Sequence, residues 1–139
     1  MNVRVMLDTD ICVDVMRGRS PAVRSRLEGT VPGEIAVSAI VTAELWTGVT
    51  KSRELKASEN ELREFLSYVE VLDWPAEAAR IYGGIRARLE AAGNSIGAMD
   101  MLIAAHAIHE KAALVTRNLS EFRRVAGLKL ENWSRPWKS

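Results

Sequence analysis

The first eight residues constrain this chain more than any other stretch. Val3-Arg4-Val5-Met6-Leu7 is a short, mostly apolar, β-favouring run that ends directly on Asp8, and a helix-like segment follows at once. A run this short and apolar fits a strand buried on both faces, as in a parallel sheet. In open α/β sheets the chemistry gathers beyond the carboxyl ends of the strands, which is where Asp8 falls. The rest of the chain repeats the alternation. Residues 34–37, 69–74, 113–116 and 128–130 read as further strands. Between them the spacing predicts short helices over 11–16, stopped at Gly18, and from Ser20-Pro21 to near Gly29. Ser38 caps a helix over 39–50, and a charged connector at 51–56 leads to a capping box, Ser58-Glu59-Asn60-Glu61. Pro75 opens the longest helix, which Gly93 closes; helix 97–110 and a helical turn at 121–125 complete the set. Strands alternating with helices predict an α/β fold: one domain over 1–139, with a mainly parallel central sheet of four to five strands flanked by helices.

A chain of 139 residues suffices for one core. Nineteen Lys and Arg against 18 Asp and Glu leave a net charge of +1, so any basic surface must come from arrangement. The single cysteine, Cys12, excludes an internal disulfide and reads as a small packed apolar residue. Asp8 and Asp10 interrupt the N-terminal apolar run too early for a signal peptide, and the most apolar window, 96–108, carries Asp100 and His106. A cytoplasmic protein with no membrane segment is the expectation.

Three acids stand where acids are costly. Asp8 ends the first strand. Glu44 shares a helix face with Val41, Leu45 and Gly48, and Asp100 heads the stripe of Ile103, Ala104 and Ala107. Any one of them could be a helix cap or a first-turn acid favoured by the helix dipole. Together they are harder to explain, because no lysine or arginine sits one turn away on the same face; Lys111 is three turns from Asp100. Carboxylates facing one cavity repel each other, and Mg²⁺ or Mn²⁺, with oxygen ligands and retained waters for phosphates, resolves the repulsion. The pattern therefore points to a metal site for phosphate chemistry, with the turn at 116–121 converging on Asp8. Among the remaining polar residues, Asp10 reads as the N-cap of the first helix and Asp14 as solvated. His106 and His109 read as packed or surface histidines. Trp46 and Tyr82 read as core or interface aromatics.

These segments carry a resemblance. Leu7-Asp8-Thr9-Asp10-Ile11, Ser38-Ala39-Ile40-Val41-Thr42-Ala43-Glu44-Leu45, Ile96-Gly97-Ala98-Met99-Asp100-Met101-Leu102-Ile103-Ala104-Ala105-His106-Ala107 and Leu114-Val115-Thr116-Arg117-Asn118-Leu119-Ser120-Glu121-Phe122 occur in the order seen in PIN domains. With the closing Val125-Ala126-Gly127-Leu128-Lys129-Leu130-Glu131-Asn132-Trp133, the chain resembles the bacterial VapC toxins, including those that cleave initiator tRNA. Each motif alone is weak; four in register are specific. The resemblance implies a metal-dependent endoribonuclease that leaves a 5′-phosphate and a 3′-hydroxyl. It matches Asp8, Glu44 and Asp100 to the first three acidic positions, as catalytic and metal-binding residues for Mg²⁺ or Mn²⁺. Asn118 stands where the family often has an aspartate, and Glu121 could supply the missing charge. Thr9 and Thr116 match hydroxyl positions that support the acids. It further implies an RNA substrate, a VapB-type antitoxin whose tail blocks the groove, and a homodimer. Trp46, Val49 and Tyr82 could line an apolar groove for the antitoxin. Arg17, Arg117, Arg123 and Arg124 are the cations expected near the site for RNA, with Arg24, Arg26, Arg86 and Arg88 extending the surface.

Two rivals remain on the residues alone. Asp8-Thr9-Asp10 is similar to the Asp-x-Asp of haloacid-dehalogenase-like phosphatases, but Thr116-Arg117-Asn118 lacks the later acidic pair that class needs. A catalytically degenerate PIN-like binding module is the other, since Asn118 departs from the acidic pattern.

Overall fold

The computed structural model describes residues 3–133, so the ends of the expected 1–139 domain lie outside the described residues. In chain order the elements are β1 (Val5–Leu7), α1 (Thr9–Met16), α2 (Pro21–Glu28), β2 (Ile35–Ser38), α3 (Ala39–Thr50), α4 (Leu55–Leu66), β3 (Glu70–Leu72), α5 (Ala78–Ala91), α6 (Ala98–Glu110), β4 (Ala113–Val115), α7 (Leu119–Phe122) and β5 (Leu130–Glu131). The apolar runs β1, β2 and β4 are wholly buried, which the two-sided covering of a parallel sheet requires. All pairings are parallel, in the order β3-β2-β1-β4-β5. The sheet is thus an α/β sheet flanked by helices, as expected. No described helix is long and apolar enough to cross a membrane.

This strand order fixes where a ligand can bind. From β1 the chain steps outward through β2 to β3, then returns to the other side of β1 for β4 and β5. Strand order therefore reverses between β1 and β4. The loops leaving their carboxyl ends diverge there and open the crevice in which α/β sheets hold ligands. Asp8 follows the last residue of β1 and Thr116 the last residue of β4.

Several local expectations are corrected. Asp8, not Asp10, caps α1, because its extended backbone (φ −73°, ψ 161°) lets the carboxylate accept from Thr9 N. Asp14 is buried rather than solvated, since an ion pair with Arg117 meets its charge. The capping box at Ser58 does not form. Leu55-Lys56-Ala57 are strong helix formers and start α4 a turn earlier, with Ser58 Oγ bonded to Ser52 Oγ at 2.7 Å instead. Pro75 opens a turn, and α5 begins only at Ala78. Val49 is buried and so is closed to a partner. Trp133, just past β5, is the largest fully buried side chain, with the Arg26 guanidinium 5.6 Å from its ring centroid.

Candidate functional site

Asp8 is buried at the end of the central strand, and each of its carboxylate oxygens meets a donor. Oδ1 accepts from Thr9 N at 2.8 Å and Oδ2 from Thr116 Oγ1 at 2.7 Å. The second bond spans the gap between the ends of β1 and β4. Thr116 Oγ1 in turn accepts from Asn118 N at 3.0 Å, so the turn after β4 is tied to the same oxygen. Glu44 is delivered by α3, whose start is set by Ser38 Oγ accepting from Ile40 N. Thr9 Oγ1 donates to Glu44 Oε1 at 2.6 Å. One threonine on each flank of Asp8 therefore ties it to another part of the site.

Asp100 stands in the first turn of α6, behind Gly97 at the N-cap. Glu121 reaches toward it from α7: its charge bears on the Asp100 carboxyl, Oε2 accepts from the Asn118 amide, and Oε1 accepts from Gly97 N at 3.4 Å. Among the described residues, no lysine, arginine or histidine nitrogen lies within 4.0 Å of the carboxylates of Asp8, Glu44, Asp100 or Glu121. The electrostatic consequence is direct. Burial, then the charge of Asp10 and more weakly that of Glu44, raise Asp8 to a pKa of about 6 against the hydrogen bonds from Thr116 and Thr9. Burial, then the charges of Asp8, Glu121 and Glu44, raise Asp100 to about 7. The charges of Asp8, Glu121 and Glu44 all bear on Asp100, so the four acids face one pocket.

His106 and Cys12 lie outside this chemistry. His106 is fully buried with Nδ1 2.8 Å from Ser38 Oγ, and burial together with His109 lowers its pKa to about 4. It is a neutral packed histidine that links α6 to the start of α3. Cys12 is buried and its thiol is pushed well above the usual range. Neither is free to act as a base or ligand. As the side chains stand, no three of His, Cys, Asp or Glu among the described residues are arranged to hold a metal ion. The donors at the pocket are nevertheless all oxygen and carry an excess of negative charge. That set suits a hard divalent cation, and Mg²⁺ needs only one or two carboxylates because it retains most of its waters. The residues fit such an ion.

The expected arginines divide. Arg17 caps the far end of α1 and is not brought to the acids. Arg124 donates to Ser95 O at 3.1 Å, in the loop leading to α6, and so borders the site. Arg86 is engaged by Glu90 and Tyr82 on the exposed face of α5, and Arg26 by Trp133. Arg117 pairs with Asp14 and Asp10. That pairing is what sequence reasoning missed; the signal was the spacing of Asp10 and Asp14, one turn apart on a single helix face.

A family model of the PIN domain matches residues 5–128. The chain is similar to the ribonuclease VapC2 of Rickettsia felis, at 44% identity over 94% of this chain and 98% of the relative. It is also similar to a tRNA(fMet)-specific endonuclease VapC of Shigella flexneri, at 36% identity over 95% of this chain and 99% of the relative. Among solved structures, VapBC2 from Rickettsia felis bound to a DNA fragment from its promoter superposes with a TM-score of 0.88, at 42% identity over 94% of this chain and 99% of that one. DNA-bound VapBC from Salmonella typhimurium does so with a TM-score of 0.90, at 34% identity over 94% and 98%.

Proposed function

The chain belongs to the PIN-domain family, among the VapC ribonucleases, and from that premise we propose that it cleaves RNA by metal-dependent hydrolysis, with Asp8, Glu44 and Asp100 at the reacting centre. It is an endoribonuclease of the VapC toxin kind. The observation that supports these residues most is the gathering of carboxylates from β1, α3, α6 and α7 at the β1/β4 switch point, with no cation among the described residues within ion-pair distance.

In this reading Asp8 and Asp100 would hold Mg²⁺ or Mn²⁺, Glu44 would act directly or through a water, and Glu121 would be the fourth acid. Asn118 donates its amide to Glu121 and so keeps that carboxylate turned toward Asp100. A divalent ion bound there would supply a Lewis acid for the phosphate and lower the pKa of the attacking water. The threonines do the orienting: Thr116 holds Asp8 and Thr9 holds Glu44, so neither carboxylate must reorganise when RNA arrives. In-line attack leaves a 5′-phosphate and a 3′-hydroxyl. The name of the Shigella flexneri relative favours initiator tRNA as substrate. The VapBC assemblies favour a VapB-type antitoxin as partner. We add to the proposal a homodimer and a cytoplasmic location. For the antitoxin, the apolar recess of about 430 Å³ that includes Val15, Leu27, Ile35, Phe65 and Tyr68 is a better candidate than the Trp46–Tyr82 face, because Val49 is buried there.

The test is to map RNA ends after incubating total RNA with the protein, in Mg²⁺ and in chelator. The expected result is a small set of new 5′-phosphate ends, initiator tRNA among them, that vanish in chelator. Equal cleavage in chelator would refute the metal-dependent reading.

A further inference from the structure

We propose that Arg117 is a positioning residue: held between Asp10 and Asp14 of α1, it fixes the turn after β4 so that Thr116 stays bonded to Asp8, and it is not an RNA contact. The proposal deepens the nuclease reading and rests on it for its effect on catalysis.

The geometry is a two-point splint. Thr116 Oγ1 bonds Asp8, which caps α1, and the next residue, Arg117, donates its backbone N–H to Asp10 Oδ2 at 3.3 Å. One turn further along α1, Arg117 Nε meets Asp14 Oδ2 at 2.9 Å, with Asp10 Oδ2 at 3.9 Å. Two successive residues of the turn are thus fastened to the first two turns of one helix. The remainder of the turn depends on that anchorage, because Asn118 N bonds back to Thr116 and the Asn118 amide bonds to Glu121.

Arg117 is half exposed, but the burial of the acids it meets favours this role over a contact with RNA. Asp14's side chain is only 8% exposed, and Arg117 is its one ion partner among the described residues. Asp10 Oδ1 is buried and has no hydrogen-bond partner, so that carboxylate too leans on the arginine. Drawing the guanidinium away to a phosphate would strand two poorly solvated carboxylates, the costly way to break such a pair. A cation committed in this way is a fastening, whereas RNA contacts are better made by arginines with no buried acid to satisfy.

The test compares Arg117→Met, Arg117→Lys, Asp14→Asn and the double variant Asp14→Asn/Arg117→Met, in steady-state RNA cleavage and in amide hydrogen exchange. Arg117→Met and Asp14→Asn are each expected to lower kcat about tenfold or more, as misplacement of a catalytic group does. KM and its salt dependence should stay unchanged, the double variant should be no worse than either single one, and Arg117→Lys should recover most of the rate. The amides of residues 116–118 should exchange faster in both single variants. If Arg117→Met instead raises KM and flattens its salt dependence while Asp14→Asn cleaves normally, Arg117 is an RNA contact and the proposal fails. Unchanged exchange at 116–118 overturns it as well. Should the wild-type protein cleave no RNA, the nuclease reading falls, and the exchange comparison still decides whether the splint exists.

Discussion

Asp100→Asn is expected to lower RNA cleavage by about a thousandfold and, at the same time, to make the metal-free protein more stable. The two effects share one cause. Burial and the neighbouring charges of Asp8, Glu121 and Glu44 raise the Asp100 carboxyl to about 7 in the folded protein, from 3.8 in an ordinary aspartate. Between those values the folded state keeps a proton that the unfolded chain has released. Stability therefore falls as pH rises from about 4 through about 7, and at neutral pH the ionised pocket works against folding. An amide carries no charge to be repelled. Asp8→Asn should show a smaller gain, since its carboxyl is raised only to about 6 and an amide nitrogen replaces one of the two oxygens that accept from Thr9 and Thr116. Urea unfolding at pH 7.5 in chelator reads the gain. Repeating it with Mg²⁺ should stabilise the wild type and leave either variant where it was, because only a bound ion shifts the folding equilibrium. A variant that cleaves as the wild type does, or that is less stable under both conditions, would contradict the assignment.

Between pH 5.5 and 7.5 the affinity for Mn²⁺ should rise about 100-fold. A divalent ion needs deprotonated carboxylates, and the two proposed to hold it, Asp8 and Asp100, have pKa values raised to about 6 and about 7. Protons and metal compete for the same oxygens, so the gain is steep below pH 6 and flattens above 7. Calorimetric titration in two buffers of different ionisation heat measures both the affinity and the protons released, expected to approach two at the acidic end. An affinity independent of pH would mean that the ion binds elsewhere.

Much of the fold and the pocket is legible in the chain because the signals are local. Val5–Leu7, Ile35–Ser38 and Ala113–Val115 are short, mostly apolar runs that end on or directly before a helix-capping or hydroxyl residue, and each is a buried strand. Asp8, Glu44 and Asp100 are visible as acids on faces where acids do not belong. The features that were not legible depend on partners far along the chain. Asp8 and Asp10 both look like N-caps, and only the pairing of β1 with β4, which brings Thr116 to Asp8, gives the two acids their separate places. Asp14 looks solvated because the arginine that meets its charge lies 103 positions later. The start of α4 departs from its local signal for the opposite reason: the capping box at Ser58 is genuine, and the helix formers before it outweigh it. Trp133 belongs to no periodic stripe, so nothing in its neighbourhood marks it as the largest fully buried side chain.

Crystals grown at pH 7.5 with Mn²⁺ and measured at the manganese absorption edge address the central claim most directly. The expected result is an anomalous peak beside the carboxyl ends of β1 and β4, with oxygens of Asp8 and Asp100 bound to the ion. A saturating Mn²⁺ concentration that leaves those carboxylates bare, or a peak only elsewhere on the protein, would contradict it.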